Sequence, residues 1–409
     1  MTSPHDPHAR RTLAPPPPEE AATRTSRGGL RFGVEEEYLL ADPGTRMTVA
    51  KARAVVREAG RVLGERAQLE FLQTQVEACT PPAATAAELR AQVLAMRRAM
   101  VHAAASAGCL LVASGSPVLA SRHPLPVTDT DRYRRVAAHV GRPVWNQSGG
   151  ELCGCHVHLG DLERGEALAL AAHLQPWLPV LQAACVNSPF CEGEDLGMAS
   201  SRWLRYRAWP TCGPAPLLDE NGYEHTVQRL IAENVILDRK MIYWALRPSE
   251  HLPTLEVRIA DSNADADVPV LLAVLLRGLA LALLDEHRAG VPPPTCPTVL
   301  LRAAHLRASM VGLNGTGLDP VAGQLVPAAV LLRRLLTRAA PGLVRSGDLQ
   351  FAQATLRRLL AGGTGADRQR AVFAQWHSLS AVVDHLARLT CRMPTSRRVV
   401  LRALTPKEL

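Results

Sequence analysis

At 409 residues, 47% hydrophobic and 21% charged, the chain is long and apolar enough for a packed, enzyme-sized body, in one large domain or two or three ordinary ones. Aromatic residues are scarce at 4%. The formal charge of +8 comes from 46 basic residues dispersed along the chain, many on helical runs such as LLRRLLTRAA, which argues for solvated helix faces against a nucleic-acid stripe and leaves room for a basic mouth facing an anionic substrate.

The N-terminal stretch 1–30 is polar and proline-rich without an apolar core and reads as a disordered tail, not an export signal. Nine cysteines, an odd number scattered from Cys79 to Cys391, then fit reduced thiols in a cytoplasmic protein. The run FGVEEEYLL, Phe32 to Leu40, alternates as a β-strand. Side chains change face at each residue, so Phe32, Val34, Glu36, Tyr38 and Leu40 share one face, while Glu35 and Glu37 share the other. Two like charges on one face call for a metal, an arginine or a proton between them, unless the strand is an exposed edge with solvated glutamates.

A helix follows around AKARAVVREAGRVLG, and QLEFLQTQVEACTPP is β-like up to Pro81. Glu77 shares parity with Gln73 and Gln75; Glu70 has the wrong parity for one unbroken strand and needs a turn or bulge to join them. Thr85, with Glu88 three residues on, predicts the start of a long helix ending near Gly108. CLLVASGSPV and GGELCGCHVHLGD read as strands, and Glu163 to Ala184 as a helix that Pro176 and Pro179 bend or end. The Gly-, Pro-, Arg- and Trp-rich segment from Asn187 to Pro216 has no clean period, which favours a functional loop. TLEVRIADSNAD is a strand with Leu255, Val257 and Ile259 on one face and Glu256 and Arg258 on the other. After Val268 the chain reads as helices, with loops around GLNGTGLDP and AGGTGADRQR. The apolar run from Val268 is short for a bilayer and carries Arg277, so it predicts a buried core helix. Strands toward the front and helices toward the back predict an α+β fold.

Cys153, Cys155, His156 and His158 suggest zinc by type, but a regular strand puts the cysteines on one face and the histidines on the other. The cysteines therefore read as core, and the histidines face the side where Gly154 leaves room for a ligand. Glu35, Glu37, Glu77, His156, Glu256 and Arg258 all sit on strands whose opposite face is apolar, so one sheet can present them together. Such a set suits hard divalent cations, and Mg²⁺ typically accompanies nucleotide phosphates. Arg202, Arg205 and Arg207 in the irregular segment are candidate clamps for phosphate or carboxylate, or else solvated loop arginines.

FGVEEEYLL, QVEACTPP, GCHVHLGD, the segment from Asn187 to Pro214, YWALRPS, PTLEVRIAD and GTGADRQR, taken in order, resemble the bacterial carboxylate-amine ligases of the glutamate-cysteine ligase type 2 family, from about Arg31 to about Ala371. The resemblance implies a curved, mainly antiparallel sheet forming an active-site funnel, in a single catalytic domain over 31–395 between tails at 1–30 and 396–409, and a homodimer acting on small-molecule substrates, without nucleic-acid or membrane partners. It implies Glu35, Glu37, Glu70, Glu77, His156 and Glu256 as ligands for Mg²⁺, and Arg202, Arg205, Arg207 and Arg258 as contacts to ATP or substrate, with Arg258 and Glu256 in catalysis. It also implies that ATP activates the γ-carboxylate of glutamate for attack by an amine such as cysteine. HLRASMVGLNG departs from the family pattern, with apolar Leu306 and Met310, which leaves the amine open. A metal-dependent phosphohydrolase and a non-catalytic nucleotide- or amino-acid-binding protein are the alternatives.

Overall fold

The alternating run Phe32–Ala41 becomes β1, the central strand of a seven-stranded antiparallel sheet. The computed structural model describes residues 29–119, 123–148 and 150–392. The expected tails at 1–30 and 396–409 lie outside the described residues, apart from Gly29 and Leu30.

The other strands are β2 (Ala67–Leu69), β3 (Gln75–Cys79), β4 (Leu110–Val112), β5 (Gly154–Gly160), β6 (Phe190–Cys191), β7 (Glu194–Asp195), β8 (Leu246–Pro248), β9 (Thr254–Asp261), β10 (Thr316–Asp319) and β11 (Gln324–Pro327). The main sheet runs β2-β3-β1-β5-β9-β8, and β4 pairs with the end of β1 on the edge that β5 also uses. β6–β7 and β10–β11 are separate ribbons. The second of these corrects the expectation of only helices and loops after Val268: Asp319 accepts from the backbone of Val321 and Ala322, closing a turn between the two short strands.

The helices are α1 (Ala52–Leu63), α2 (Ala86–Ser106), α3 (Asp131–Val140), α4 (Arg164–Leu174), α5 (Leu178–Ala184), α6 (Ser201–Tyr206), α7 (Glu220–Ala232), α8 (Asp267–Arg288), α9 (Thr298–Val311), α10 (Ala328–Arg345), α11 (Leu349–Gly362), α12 (Gly365–Trp376) and α13 (Leu379–Cys391). Thr85 caps α2 as the sequence predicts: its hydroxyl accepts from Glu88 N at 3.1 Å, while the Glu88 carboxylate accepts from Ala84 N at 2.8 Å. Between α4 and α5, Pro176 and Pro179 mark the predicted break.

One face of the sheet, with Phe32, Val34, Val157, Leu159, Leu255 and Val257, packs on α8 and its neighbours. α8 is long and apolar enough to cross a membrane, but every residue from Val268 to Leu284 is buried inside the protein, as the core reading expects. Each leucine or valine fully buried there contributes about 1.5–3 kcal/mol. Arg277 is tolerated in α8 because it pairs with Asp348, donates to Ala84 O and lies 3.9 Å from the centre of the Phe32 ring.

Glu36, the middle of the three glutamates, points into this apolar side and is fully buried. Arg97 of α2 donates to it at 2.9 Å, and the Tyr38 hydroxyl donates to it at 2.7 Å. The same guanidinium donates to Asn263 O and Ala264 O just beyond β9. One buried arginine thus ties β1 to the end of β9, two strands away in the sheet.

Candidate active site

Strand register assembles the opposite face. Glu37 lies across from Glu77, Glu35 from His156, His158 from Glu256, and Glu256 from Arg247. Directly paired residues in a ladder share a face, so five strands bring these groups together over the apolar core. The register against β9 shifts between Cys155 and Val157, and Glu256 and Arg258, two residues apart on β9, both turn to this side.

Glu70 joins them because β2 and β3 form a hairpin, with Gln68 across from Glu77 and the turn at Glu70–Thr74. The parity objection to Glu70 disappears with that turn. All six predicted ligands line one cavity of about 350 Å³.

Ligand atoms of Glu37, Glu70 and Glu77 lie within 4.8 Å of one another, as do those of Glu35, His158 and Glu256. His156 bridges the two groups, with Nδ1 3.3 Å from Glu35, Nε2 3.7 Å from Glu37 and Nδ1 3.8 Å from Glu256. Its Nε2 is buried without a hydrogen-bond partner. Burial, then the positive charge of Arg258, holds the His156 pKa down to about 4, so the ring is neutral at ordinary pH.

Burial, then repulsion from Glu70, lifts Glu37 to about 7, and burial with repulsion from Glu35 raises Glu77 well above the carboxylate range. Glu35 and Glu256 go the other way: burial opposes ionisation, but hydrogen bonds from His156 and His158 outweigh it at Glu35, and Arg258 and Arg247 outweigh it at Glu256. A carboxylate group short of positive charge, together with an unpartnered imidazole nitrogen, is a donor set that fits hard divalent cations.

Cations, two of them buried, complete the wall. Arg258 pairs with Glu256, and its Nε lies 3.4 Å from the Tyr206 hydroxyl. Arg247 pairs with Glu256 at 2.8 Å. Arg202, at the start of α6, is buried with Nε and Nη1 lacking hydrogen-bond partners, and lies over the Tyr206 ring at 5.1 Å. The space left by Gly154 is taken by this guanidinium, where the sequence suggested a ligand; a Cβ at residue 154 would collide with it. Behind α6, the Asp261 carboxylate accepts from Asn187 N, Ser188 Oγ and Ser200 Oγ, and Ser200 caps the helix.

Arg205 and Arg207 depart from the expectation that they clamp substrate alongside Arg202, because neither lines the cavity. Arg205 is drawn to Glu192 at 2.9 Å. Arg207, five residues beyond Arg202 and so about 140° around the helix, is exposed.

The sequence reading left His158 undecided and missed Arg247 as a site residue. His158 Nε2 lies 3.0 Å from Glu35, and Nδ1 lies 2.9 Å from Thr254 Oγ1. Arg247 stands in YWALRPS, where its strand parity carried a signal. Also missed was an aromatic wall of the cavity, formed by Phe71, Tyr133, Tyr206, Trp209 and Tyr243 from distant segments.

The family model described as "Glutamate-cysteine ligase family 2(GCS2)" matches residues 31–385. The chain is 41% identical over 358 residues to a candidate glutamate–cysteine ligase 2-1 of Saccharopolyspora erythraea, covering 87% of this chain and 94% of the relative. It is 39% identical over 367 residues to a candidate glutamate–cysteine ligase 2 of Salinispora tropica, covering 89% and 96%. Among solved structures, the glutamate–cysteine ligase of Francisella tularensis, in complex with AMP, is similar with a TM-score of 0.66 over 89% of each chain at 10% identity. The bifunctional glutathione synthetase of Pasteurella multocida gives 0.63 at 14% identity, over 88% of this chain and 53% of the other. At such identities the structures speak for the fold, an α+β architecture shared with these ligases. The match across most of its length, and relatives near 40% identity, mean that this chain belongs to the glutamate-cysteine ligase family 2.

Proposed function

We propose that the cavity performs ATP-dependent carboxylate-amine ligation: the γ-carboxylate of glutamate, or a close analogue, is phosphorylated by ATP and then joined to an amine. The observation that carries this reading is the pair of acidic groups bridged by His156 and faced by Arg202, Arg247 and Arg258. A carboxylate approaching a triphosphate meets strong repulsion, and a site for that reaction needs concentrated positive charge.

Glu37, Glu70 and Glu77 would hold one Mg²⁺ and Glu35, His158 and Glu256 another, with His156 between them. Bound there, Mg²⁺ supplies charge neutralisation between carboxylate and phosphate groups. Arg202 offers two unpartnered N–H groups to an incoming anion, and Asp261 and its serines hold the helix that presents them. Arg258, fixed by Glu256 and Tyr206, faces the charge that develops as the amine attacks the acyl phosphate. The N–C bond forms, phosphate leaves, and the products are the amide, ADP, phosphate and a proton. Thiol nucleophiles have no part in this scheme: burial pushes the thiols of Cys153 and Cys155 well above their usual range.

The test is ADP release by the purified protein with ATP, Mg²⁺ and glutamate, with and without a panel of amines that includes cysteine, with mass detection of the product. An amide that appears with ADP, and is lost in Glu37→Gln, supports the ligase. ADP and phosphate without an amide across the panel would support a phosphohydrolase in its place.

A further inference from the structure

The chain has six tryptophans, five tyrosines and five phenylalanines, sixteen rings in 409 residues, yet five of them line the one cavity that holds the acidic groups. The rings form a continuous series. Tyr133 meets Phe71 at 5.6 Å, Phe71 meets Trp209 at 5.4 Å, Trp209 meets Tyr243 at 5.7 Å and Tyr243 meets Tyr206 at 6.0 Å between centroids, each nearly edge to face.

The two ends of the series differ. Tyr206 and Tyr243 are engaged with Arg202 and Arg258, whose guanidinium carbons lie 5.1 and 6.0 Å from the respective ring centres. The Phe71, Tyr133 and Trp209 end is continued by Leu72, Val136 and Leu152. Arg132, beside Tyr133, is committed to Asp238 at 2.8 Å, and Lys240, which also lines the cavity, stands beside the same carboxylate. The rings and aliphatic side chains of this end carry no charge to offer a second carboxylate, and they gain from covering an apolar body.

Its position limits what that body can belong to. Phe71 follows Glu70 in the chain, and the Tyr133 hydroxyl donates to Leu69 O at 3.2 Å, so this wall begins at the Glu37–Glu70–Glu77 group. An adenine ring is held away from the reacting γ-phosphorus by the length of a triphosphate. The amine nitrogen must reach the acyl carbon directly, so its substituent lies next to the reacting pole.

We infer that the acceptor of this enzyme is a primary amine carrying an aromatic or similarly bulky apolar body, seated against Phe71, Tyr133 and Trp209. The inference rests on the ligase reading above and names the acceptor class within it.

The experiment compares kcat/KM for 2-phenylethylamine, benzylamine, ethylamine and cysteine, with ATP, Mg²⁺ and glutamate, in the full-length protein and in Trp209→Leu and Tyr133→Leu. The arylalkylamines are expected to exceed ethylamine and cysteine at least tenfold, with that ratio falling toward one in a folded variant and the KM for ATP changing less than twofold. Amide formation with ethylamine or cysteine that matches or exceeds the arylalkylamines would overturn the inference while leaving the ligase standing. A ratio unchanged in both variants, with a tenfold rise in the KM for ATP, would assign the wall to adenine and also overturn it. No amide from any amine would remove the ligase reading and this inference with it.

Discussion

Glu37→Gln should stabilise the metal-free protein and abolish its response to Mg²⁺. The carboxyl is raised from an ordinary 4.5 to about 7, by burial first and the Glu70 charge second. Because the folded pKa lies above the unfolded one, the contribution of this group to stability is complete below about pH 4.5 and is lost as pH rises through about 7. At ~1.4 kcal/mol per tenfold change in proton affinity, the ionised carboxylate costs about 3 kcal/mol by pH ~8. The amide removes that cost and can still accept the hydrogen bond that Gly154 N gives to Glu37. With roughly 2 cal/mol/K of unfolding entropy per residue, the gain is about 4 °C in Tm. Thermal unfolding in EDTA near pH 8 should show the variant higher, and the difference should vanish in acid. Saturating Mg²⁺ should then reverse the order, since ligation at 1,000 times Kd adds about 4.1 kcal/mol to the wild type only. A variant less stable than wild type in EDTA near pH 8 would refute the claim that the carboxylate group is short of positive charge.

Gly154→Ala places a methyl group against the Arg202 guanidinium, so kcat/KM should fall at least tenfold while the circular dichroism spectrum stays native; unchanged activity would remove Arg202 from the substrate site. Breaking the buried Glu36–Arg97 pair with Arg97→Met should cost about 3–5 kcal/mol in urea unfolding, and adding Glu36→Leu should recover much of that, because a lone buried carboxylate is worse than none. Equal losses in the single and double variants would contradict this. Arg207→Ala, exposed and outside the cavity, should leave kcat and KM within twofold of wild type, and a large loss would restore it as a substrate contact.

Period-two parity made the polar face readable in advance. Glu35 and Glu37 separated from Glu36, and Glu256 and Arg258 from Leu255 and Val257, by strand alternation alone. The same rule worked against Glu70, because parity holds only within an unbroken strand and the hairpin turn was not signalled clearly. It also could not place Glu36, whose burial depends on Arg97, sixty-one residues away in α2. Arg205 and Arg207 fall outside the cavity that Arg202 lines because a short helix inside a Gly- and Pro-rich segment sends its arginines in different directions. The aromatic wall was illegible for a related reason: Phe71, Tyr133, Trp209 and Tyr243 come from four connections whose convergence is a tertiary fact with no local pattern.

In the proposed reaction a carboxylate attacks the γ-phosphate of ATP. Glutamate labelled with ¹⁸O in its γ-carboxylate, incubated with ATP, Mg²⁺, the protein and an accepted amine, should pass one labelled oxygen to each phosphate released, because the departing phosphate keeps the bridging oxygen when the acyl C–O bond breaks. Phosphate carrying no label from glutamate, or taking its new oxygen from labelled water, would contradict the account and identify water as the nucleophile.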